Sequence, residues 1–520
     1  MEPGRKEGRT MITPKTAFMV PYRISKPYSL RSFLLICLII GLFLHIRSYL
    51  FQVLSSEAAY ISNTVKASHP IEKLILQNHR RHQNFLNRQS KTPEEAIKAY
   101  RKRYQRDPPP GFSKWVRYAL AQNSTVIDDY DIIEERISPF RSISSFDLNR
   151  RIKAWQETAD AFETVKIRDG KFVDCGEQFK NSIEDIVDQL PDMDLLLNWL
   201  DEPRIMGYDH LRDSNKVTME DYAAKDAWEI LSGKCHFSSQ RRMRRDTTSA
   251  KVKYVEDPKE ALDICSHPEA WNQHGFFNSP SNFRATRNVI PFFSTTSMST
   301  MADLLTPGLD YVDWHYIGDA KTVDNKNYTD KKPQMYWKGW STGSWFKEIS
   351  WKRNHRVRFV EKFRNNSMFN VGFSKYVQCD GYCEKLEEIV GLVPIDPPTT
   401  GFDYKFAMDL DGNGYSGRYY RLLLSNCLVF KQTMFEQWHD DRLIPWVHYI
   451  PVSLGMEELE SAVDYFANDP KGIGYGEQIA IGGQQWAKKS LRPIDMTIYT
   501  YRLLLEYAAL FDGGAERRME

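Results

Sequence analysis

The sequence predicts an α/β protein. Three observations predict it: helical patterns alternate with short apolar runs, one run passes through a glycine-rich turn into a helix, and another ends in a pair of acids. The strand-length runs are Met193 to Leu200, Tyr311 to Ile317, Arg358 to Phe363, Lys405 to Leu410, Leu428 to Gln432 and Trp446 to Val452. Helix candidates include Ser144 to Glu163 and Ser182 to Gln189. The closing stretch Asp495 to Phe511 carries Met496, Tyr499, Leu503, Tyr507 and Leu510 on one stripe, a pattern of core packing.

The glycine-rich turn is the most informative segment. Phe406-Ala407-Met408 leads in as a buried strand, Gly412, Gly414 and Gly417 let backbone amides approach a ligand without Cβ obstruction, and Tyr419 to Leu424 reads as helix. Arg418 stands at the helix start, where unpaired N–H groups and a planar guanidinium suit phosphate oxygens. A diphosphate is the expected ligand. The competing reading is an ordinary strand–turn–helix connection whose arginine pairs with a surface carboxylate.

Four other segments bear on chemistry. Met193 to Leu200 delivers Asp201 and Glu202 at its carboxyl end, where open α/β sheets place ligands. Asp201 is the candidate general base for an attacking hydroxyl, against the alternative that both acids cap a following helix. Tyr336 to Gly343 reads as a strand followed by a hydroxyl-rich turn, and its Lys338 is a second candidate phosphate clamp beside Arg418. His448 lies in Pro445 to Val452, where core packing is the default and a nucleotide or sugar contact the alternative. Asp409-Leu410-Asp411 and Asp192-Met193-Asp194 spell the permissive Asp-x-Asp pattern of metal-dependent sugar transferases, but Arg418 and Lys338 already supply countercharge, so no metal is expected.

Composition narrows the class. The 520 residues are 42% hydrophobic and 13% aromatic, enough for a large core, and 70 basic against 68 acidic residues give a net charge of +2. Nucleic-acid binding through a broad basic field is thereby disfavoured.

The first 32 residues are rich in Lys and Arg and precede an apolar run that reaches about residue 54, which predicts a signal anchor at 33–54, with residues 1–32 as a cytoplasmic tail and the rest as a lumenal body. A cleaved signal peptide is the competing reading. Sequons at Asn123, Asn327 and Asn365 agree with a lumenal body, as do six cysteines outside the anchor. Cys175, Cys235, Cys265, Cys379, Cys383 and Cys427 suffice for three disulfides, of which Cys379 to Cys383 is the easiest to form. From residue 55 to 110 the chain reads as a helical stem, with Thr92 capping and Pro93 opening its second helix. The basic run Arg241 to Arg245 reads as a solvated loop or a patch near an acidic acceptor.

Several of these segments, in the same order, resemble the capsule-associated glycosyltransferases of fungi and the related Rumi-type protein O-glucosyltransferases, which share a lipopolysaccharide-modifying-enzyme domain. The resemblance rests on Pro108-Pro109-Pro110-Gly111-Phe112 with Trp115, the strand ending at Asp201, Trp337-Lys338-Gly339 with Ser341-Thr342-Gly343, and Asp411 to Arg418. It continues through Pro445 to Val452, Trp486-Ala487, Asp495-Met496 and Tyr501 to Tyr507.

It implies a GT-B architecture: two Rossmann-like lobes facing a cleft, with residues 111–330 as the acceptor-side lobe, 331–490 as the nucleotide-sugar lobe and 491–520 returning to the body. It further implies inverting, metal-independent transfer from a UDP-sugar to a glycan or protein hydroxyl. By similarity the catalytic aspartate falls on Asp201, and the donor-binding residues fall on Lys338, Gly339, Thr342, Ser416 and Arg418. The chain departs from the family at Lys338 and Ala509, where arginine is usual, and a lysine loses the bidentate fork. No lumenal retrieval signal closes the chain, so the expected location is the Golgi membrane in type II orientation. The alternatives are an anchored glycan-binding protein without turnover and a metal-dependent transferase using Asp409 and Asp411.

Overall fold

Two five-stranded sheets position the candidate residues, in a computed structural model that describes residues 69–158, 162–206, 218–235, 252–308, 311, 324–347 and 350–511. In chain order the first strands are β1 (Phe162–Arg168), β2 (Lys171–Asp174) and β3 (Met193–Asn198). A small ribbon pairs β4 (Glu220–Asp221) with β5 (Arg284–Ala285), and β6 (Phe292–Ser294) and β7 (Leu304–Leu305) follow. The first sheet has the order β2-β1-β3-β6-β7. Its β1–β2 and β1–β3 pairings are antiparallel, whereas β3–β6 and β6–β7 are parallel. Asp169 and Gly170 close the β1–β2 hairpin with φ of 49° and 67°, the left-handed pair that a tight two-residue turn needs.

The second sheet is parallel throughout, in the order β12-β11-β10-β8-β9. Its strands are β8 (Lys332–Trp340), β9 (Phe369–Lys375), β10 (Tyr404–Leu410), β11 (Leu428–Gln432) and β12 (Ile450–Val452). Every residue of β11, and all of β10 but Lys405, is buried, because helices or loops cover both faces of such a sheet. The continuous apolar runs in the sequence follow from that double coverage.

The described residues from His69 onward cluster as one unit. The helices expected as a stem belong to it. Pro70–Asn87 buries Ile71, Leu74 and Ile75 in the core cluster of the second sheet, and Phe85 with Tyr100 of Pro93–Tyr104 in that of the first. Thr92 Oγ1 accepts from Glu95 N at 3.2 Å, as its capping position predicts. At the other end, Pro493–Ala508 packs against the first sheet. Tyr499 Oη donates to Leu305 O at 3.1 Å, and Tyr507 Oη to Asp194 O at 2.6 Å. Burial alone would raise the Glu506 carboxyl, but Arg502, Arg106 and Arg141 outweigh it and hold the group at about 2.

Four sequence expectations are corrected. Arg358 to Phe363 is the end of helix His355–Phe363: Val357, Val360 and Phe363 share a helical face, and Asn354 Oδ1 caps the start by accepting from Arg356 N and Val357 N. In Trp446 to Val452 only Ile450–Val452 is strand, since Trp446 has φ of 61° and turns back to bond Tyr449 O. The helix expected to reach Glu163 ends at Gln156, and Phe162 already starts β1. Among the described residues two disulfides form, Cys235–Cys265 and Cys379–Cys383, while Cys175 and Cys427 stay unpaired, Cys427 sealed in the core beside Lys331.

The three sequon asparagines are exposed. The anchor at 33–54, Arg241 to Arg245, the rest of the run after Tyr311, and the chain end after Phe511 lie outside the described residues. Among the described residues no helix is long and apolar enough to cross a membrane.

Candidate functional site

The site forms where the carboxyl ends of β3, β6, β8 and β10 approach one another, the edge at which parallel sheets present loops and helix starts. β10 ends at Leu410 and the glycine-rich turn follows, closing at helix Tyr419–Leu424 with Arg418 at its cap position. The turn is pinned from below. His355 Nε2 bonds Asp411 O at 2.8 Å, and Arg356 donates from Nε to the same carbonyl at 2.7 Å and from Nη2 to Leu410 O at 3.2 Å. Burial, then repulsion from Arg418, lowers the Arg356 guanidinium to about 9. His355 stacks on His274 at 3.7 Å, and burial keeps both imidazoles neutral, with His274 lowered to about 3.

Arg356 also joins this turn to the end of β8, donating to Trp340 O at 2.8 Å and Thr342 Oγ1 at 2.6 Å. Because Thr342 accepts that bond, its own hydroxyl proton is directed elsewhere and suits an anionic oxygen. Gly343 N donates to Asn413 Oδ1 at 3.0 Å, which locks the two turns together. Gly343 has φ of 109°, and a Cβ there would lie 2.5 Å from His355 Cε1, so this position requires glycine.

Arg418 donates from Nη1 to Lys338 O at 3.0 Å and lies 5.6 Å from the Trp337 ring. A Cβ on Gly339 would come within 2.8 Å of its Nη2, so the missing side chain makes room for the guanidinium. Lys338 meets Arg418 through its carbonyl. Its ammonium binds Asp396 Oδ2 at 2.7 Å, sharing that carboxylate with Tyr336 Oη at 3.0 Å. Strand alternation puts Tyr336 and Lys338 on the face opposite Gly339 and its arginine. Ser416 Oγ donates to Asp409 Oδ1 at 2.5 Å, so the hydroxyl braces the turn.

The other carboxylates have structural partners as well. Asp409 also binds Lys431 Nζ at 3.1 Å, and Asp411 Oδ2 accepts from Met434 N at 2.8 Å and lies 3.4 Å from His274 Nε2. Asp192 and Asp194 bond Asp169 N and Arg168 in the first sheet. Among the described residues no group of three or more His, Cys, Asp or Glu side chains converges as a metal site. His448 stacks on Trp486 at 5.2 Å and takes Ile444 N at 2.9 Å, so it is a core residue.

Asp201 joins this arrangement from the first sheet. Gly414 packs so closely on it that a Cβ would lie 2.2 Å from Asp201 O and 3.1 Å from Asp201 Cβ. Thr296, following β6, donates from Oγ1 to the same carbonyl at 2.6 Å. Asp201 itself is exposed, whereas its neighbour Glu202 is buried and caps no helix among the described residues. Glu202 Oε1 accepts from Ser281 Oγ at 2.8 Å and Asn282 N at 3.0 Å, and burial raises its carboxyl to about 7. The structure thus gathers Asp201, Gly339, Thr342, Ser416 and Arg418 and turns the Lys338 ammonium aside. Sequence reasoning missed Arg356 and Thr296, and read Glu202 only as an acid beside Asp201 or as a helix cap. Asn354, a cap before an apolar run, was the signal that would have revealed the helix carrying Arg356.

Residues 275–520 match the model of glycosyl transferase family 90, a stretch that includes the glycine-rich turn and β8 but not Asp201. The chain is similar to protein O-glucosyltransferase 2 of Danio rerio, 24% identical over 234 residues that cover 44% of each chain. Protein O-glucosyltransferase 3 of Rattus norvegicus is 34% identical over 160 residues, 30% of each chain. An O-glucosyltransferase rumi homolog of Aedes aegypti is 24% identical over 225 residues, 41% of this chain and 50% of that one. The matched region therefore spans half or less of each of these relatives. With the shared motifs, these matches support a likeness to the Rumi-type glycosyltransferases, carried chiefly by residues 275–520.

Proposed function

We propose that the protein is an inverting glycosyltransferase of the secretory pathway that moves a sugar from a UDP-sugar to a hydroxyl of a glycan or protein. In this reading Asp201 takes the proton of the acceptor hydroxyl as that oxygen attacks the anomeric carbon from the face opposite the leaving group. Arg418, the Thr342 hydroxyl and the backbone amides of the glycine-rich turn bind the departing diphosphate, where negative charge grows. Arg356 and Ser416 hold that turn in place. Lys338, engaged by Asp396, contributes its carbonyl to orient Arg418.

The observation that carries the reading is the contact between Gly414 and Asp201, which sets an exposed acid from one sheet against an anion-binding turn from the other. The two sheets then correspond to the two lobes of a GT-B enzyme. No step requires a metal, because the cationic side chain and amide dipoles supply the countercharge. The basic tail and apolar run at the N-terminus support a type II anchor in the Golgi membrane, and the exposed sequon asparagines agree with a lumenal body.

A UDP-release assay with purified protein, a panel of UDP-sugars and simple glycoside acceptors tests the proposal. Turnover that Asp201→Asn abolishes while UDP binding persists is the expected result. Absence of turnover across the panel, with glycan binding intact, would establish a binding protein instead, and loss of turnover in chelator would establish a metal-dependent enzyme.

A further inference from the structure

Away from this site, a cavity of about 190 Å³ lies beside the outer end of the second sheet, between helix Pro70–Asn87 and the chain following β11. None of Asp201, Lys338, Gly339, Thr342, Ser416 or Arg418 lines it. It is smaller than the roughly 300–1,000 Å³ of pockets that take drug-sized ligands, so it suits an occupant smaller than a nucleotide.

Its lining is only partly satisfied by the protein. Among the described residues Tyr419 Oη and His439 Nε2 have no hydrogen-bond partner, Asp440 Oδ1 lying 3.8 Å from Nε2, although Tyr419 is 0% and His439 1% exposed, and both residues line the cavity. Buried polar atoms of this kind are normally paired. His439 Nδ1 is engaged by Tyr420 Oη at 2.9 Å, which leaves Nε2 for another partner. Asp440 also lines the cavity and keeps 35% of its side-chain surface accessible, yet its carboxyl is raised to about 7 by surrounding protein. That combination is expected of an acid facing an enclosed space. The Tyr449 ring and Ile444 add an apolar wall.

The charges select among occupants. Seven carboxylates and five cations line the cavity, which disfavours an anion. Lys431 already lies 3.9 Å from the centre of the Tyr419 ring and is bound to Asp409, so the position that an organic cation would take is filled. What remains is a neutral ligand with hydroxyls that both donate and accept and with C–H faces to set against tyrosine.

We propose that this cavity is a second binding site that takes a single neutral sugar ring, held by Asp440, Tyr419 Oη and His439 Nε2 and separate from the donor diphosphate site. The inference does not depend on the proposed transfer reaction, since the cavity shares no residue with that site.

Calorimetric titration of the purified protein with free xylose and glucose, with and without saturating UDP, tests it. The expected result is saturable binding of at least one monosaccharide that persists with UDP bound. Asp440→Ala should weaken it about tenfold and Tyr419→Phe a few-fold, the range of one lost hydrogen bond, with UDP affinity unchanged in both. Should Asp440→Ala fail to fold, Tyr419→Phe carries the comparison. No saturable binding to the wild type, binding insensitive to both variants, binding displaced by UDP, or binding of ethylamine in place of the sugars would each overturn the proposal.

Discussion

The two sheets contribute to the site in different ways. The second is parallel throughout, its β8 and β10 are nine and seven residues long, and both end in turns that gather amides, hydroxyls and Arg418. The first mixes directions, narrows to the two-residue β7, and delivers one exposed acid from the loop after β3. An anion-binding turn can be encoded within one short segment, because its donors are successive backbone amides. A base cannot, because its value depends on what it faces. Under the proposed function, the difference teaches that donor recognition would belong to one sheet, whereas reaction would require the contact between both.

The largest expected effect breaks that contact chemically. Asp201→Asn should lower turnover about 10²–10⁴-fold, the usual contribution of a positioned general base, with UDP affinity unchanged by titration. If the acid instead binds donor, UDP affinity falls with turnover.

Next comes the scaffold of the first sheet. Glu506→Gln leaves Arg502, Arg106 and Arg141 without their shared buried carboxylate, and should cost about 3–5 kcal/mol in denaturant unfolding. On the second sheet, Arg418→Ala should reduce kcat/KM by about 10²–10³-fold and weaken UDP binding, the range for removal of one donor to a developing charge. A loss confined to acceptor KM would place the arginine outside the diphosphate site.

Glu202 offers a pH test beside the first acid. Its carboxyl moves from 4.5 to about 7 on folding, chiefly through burial. The folded chain therefore holds this proton more tightly than the unfolded one. The stability it supports is complete below about pH 4.5 and declines as pH rises through about 7, by about 3 kcal/mol at about 1.4 kcal/mol per tenfold change in proton affinity. Glu202→Gln should flatten that part of the profile measured by urea unfolding, and an unchanged slope would assign it to other groups.

The smallest change is steric. Gly414→Ala places a methyl 2.2 Å from Asp201 O, so the turn and the acid must separate, at about 1–3 kcal/mol for an overpacked contact. Turnover should fall while UDP still binds, and full activity would show that the contact does not set the distance between the sheets.

The strand–turn–helix from β10 to Leu424 was legible because every signal in it is local: a buried run, spaced glycines and a helix start. The cap at Thr92 was legible for the same reason. Arg358 to Phe363 was misread because a short apolar run fits strand or helix equally, and the deciding cap, Asn354, lay just outside the run. Lys338 was placed on the correct strand, but its ion pair with Asp396 was not legible, since Asp396 reaches it only through packing of the 391–399 segment. The cysteines gave an even count, yet Cys175 and Cys427 ended in different surroundings, one half-buried and the other in the core.

By itself the sequence determined the α/β class, the strand, glycine-rich turn and helix from β10 to Leu424, and the position of Asp201 after β3, because periodicity, glycine spacing and helix caps act over a few residues. Only the tertiary structure decided that Gly414 rests on Asp201, that Arg356 ties two turns together and that Lys338 answers to Asp396. Those partnerships join segments remote in the chain, and their energy exists only once both sheets are packed and water has left the space between them.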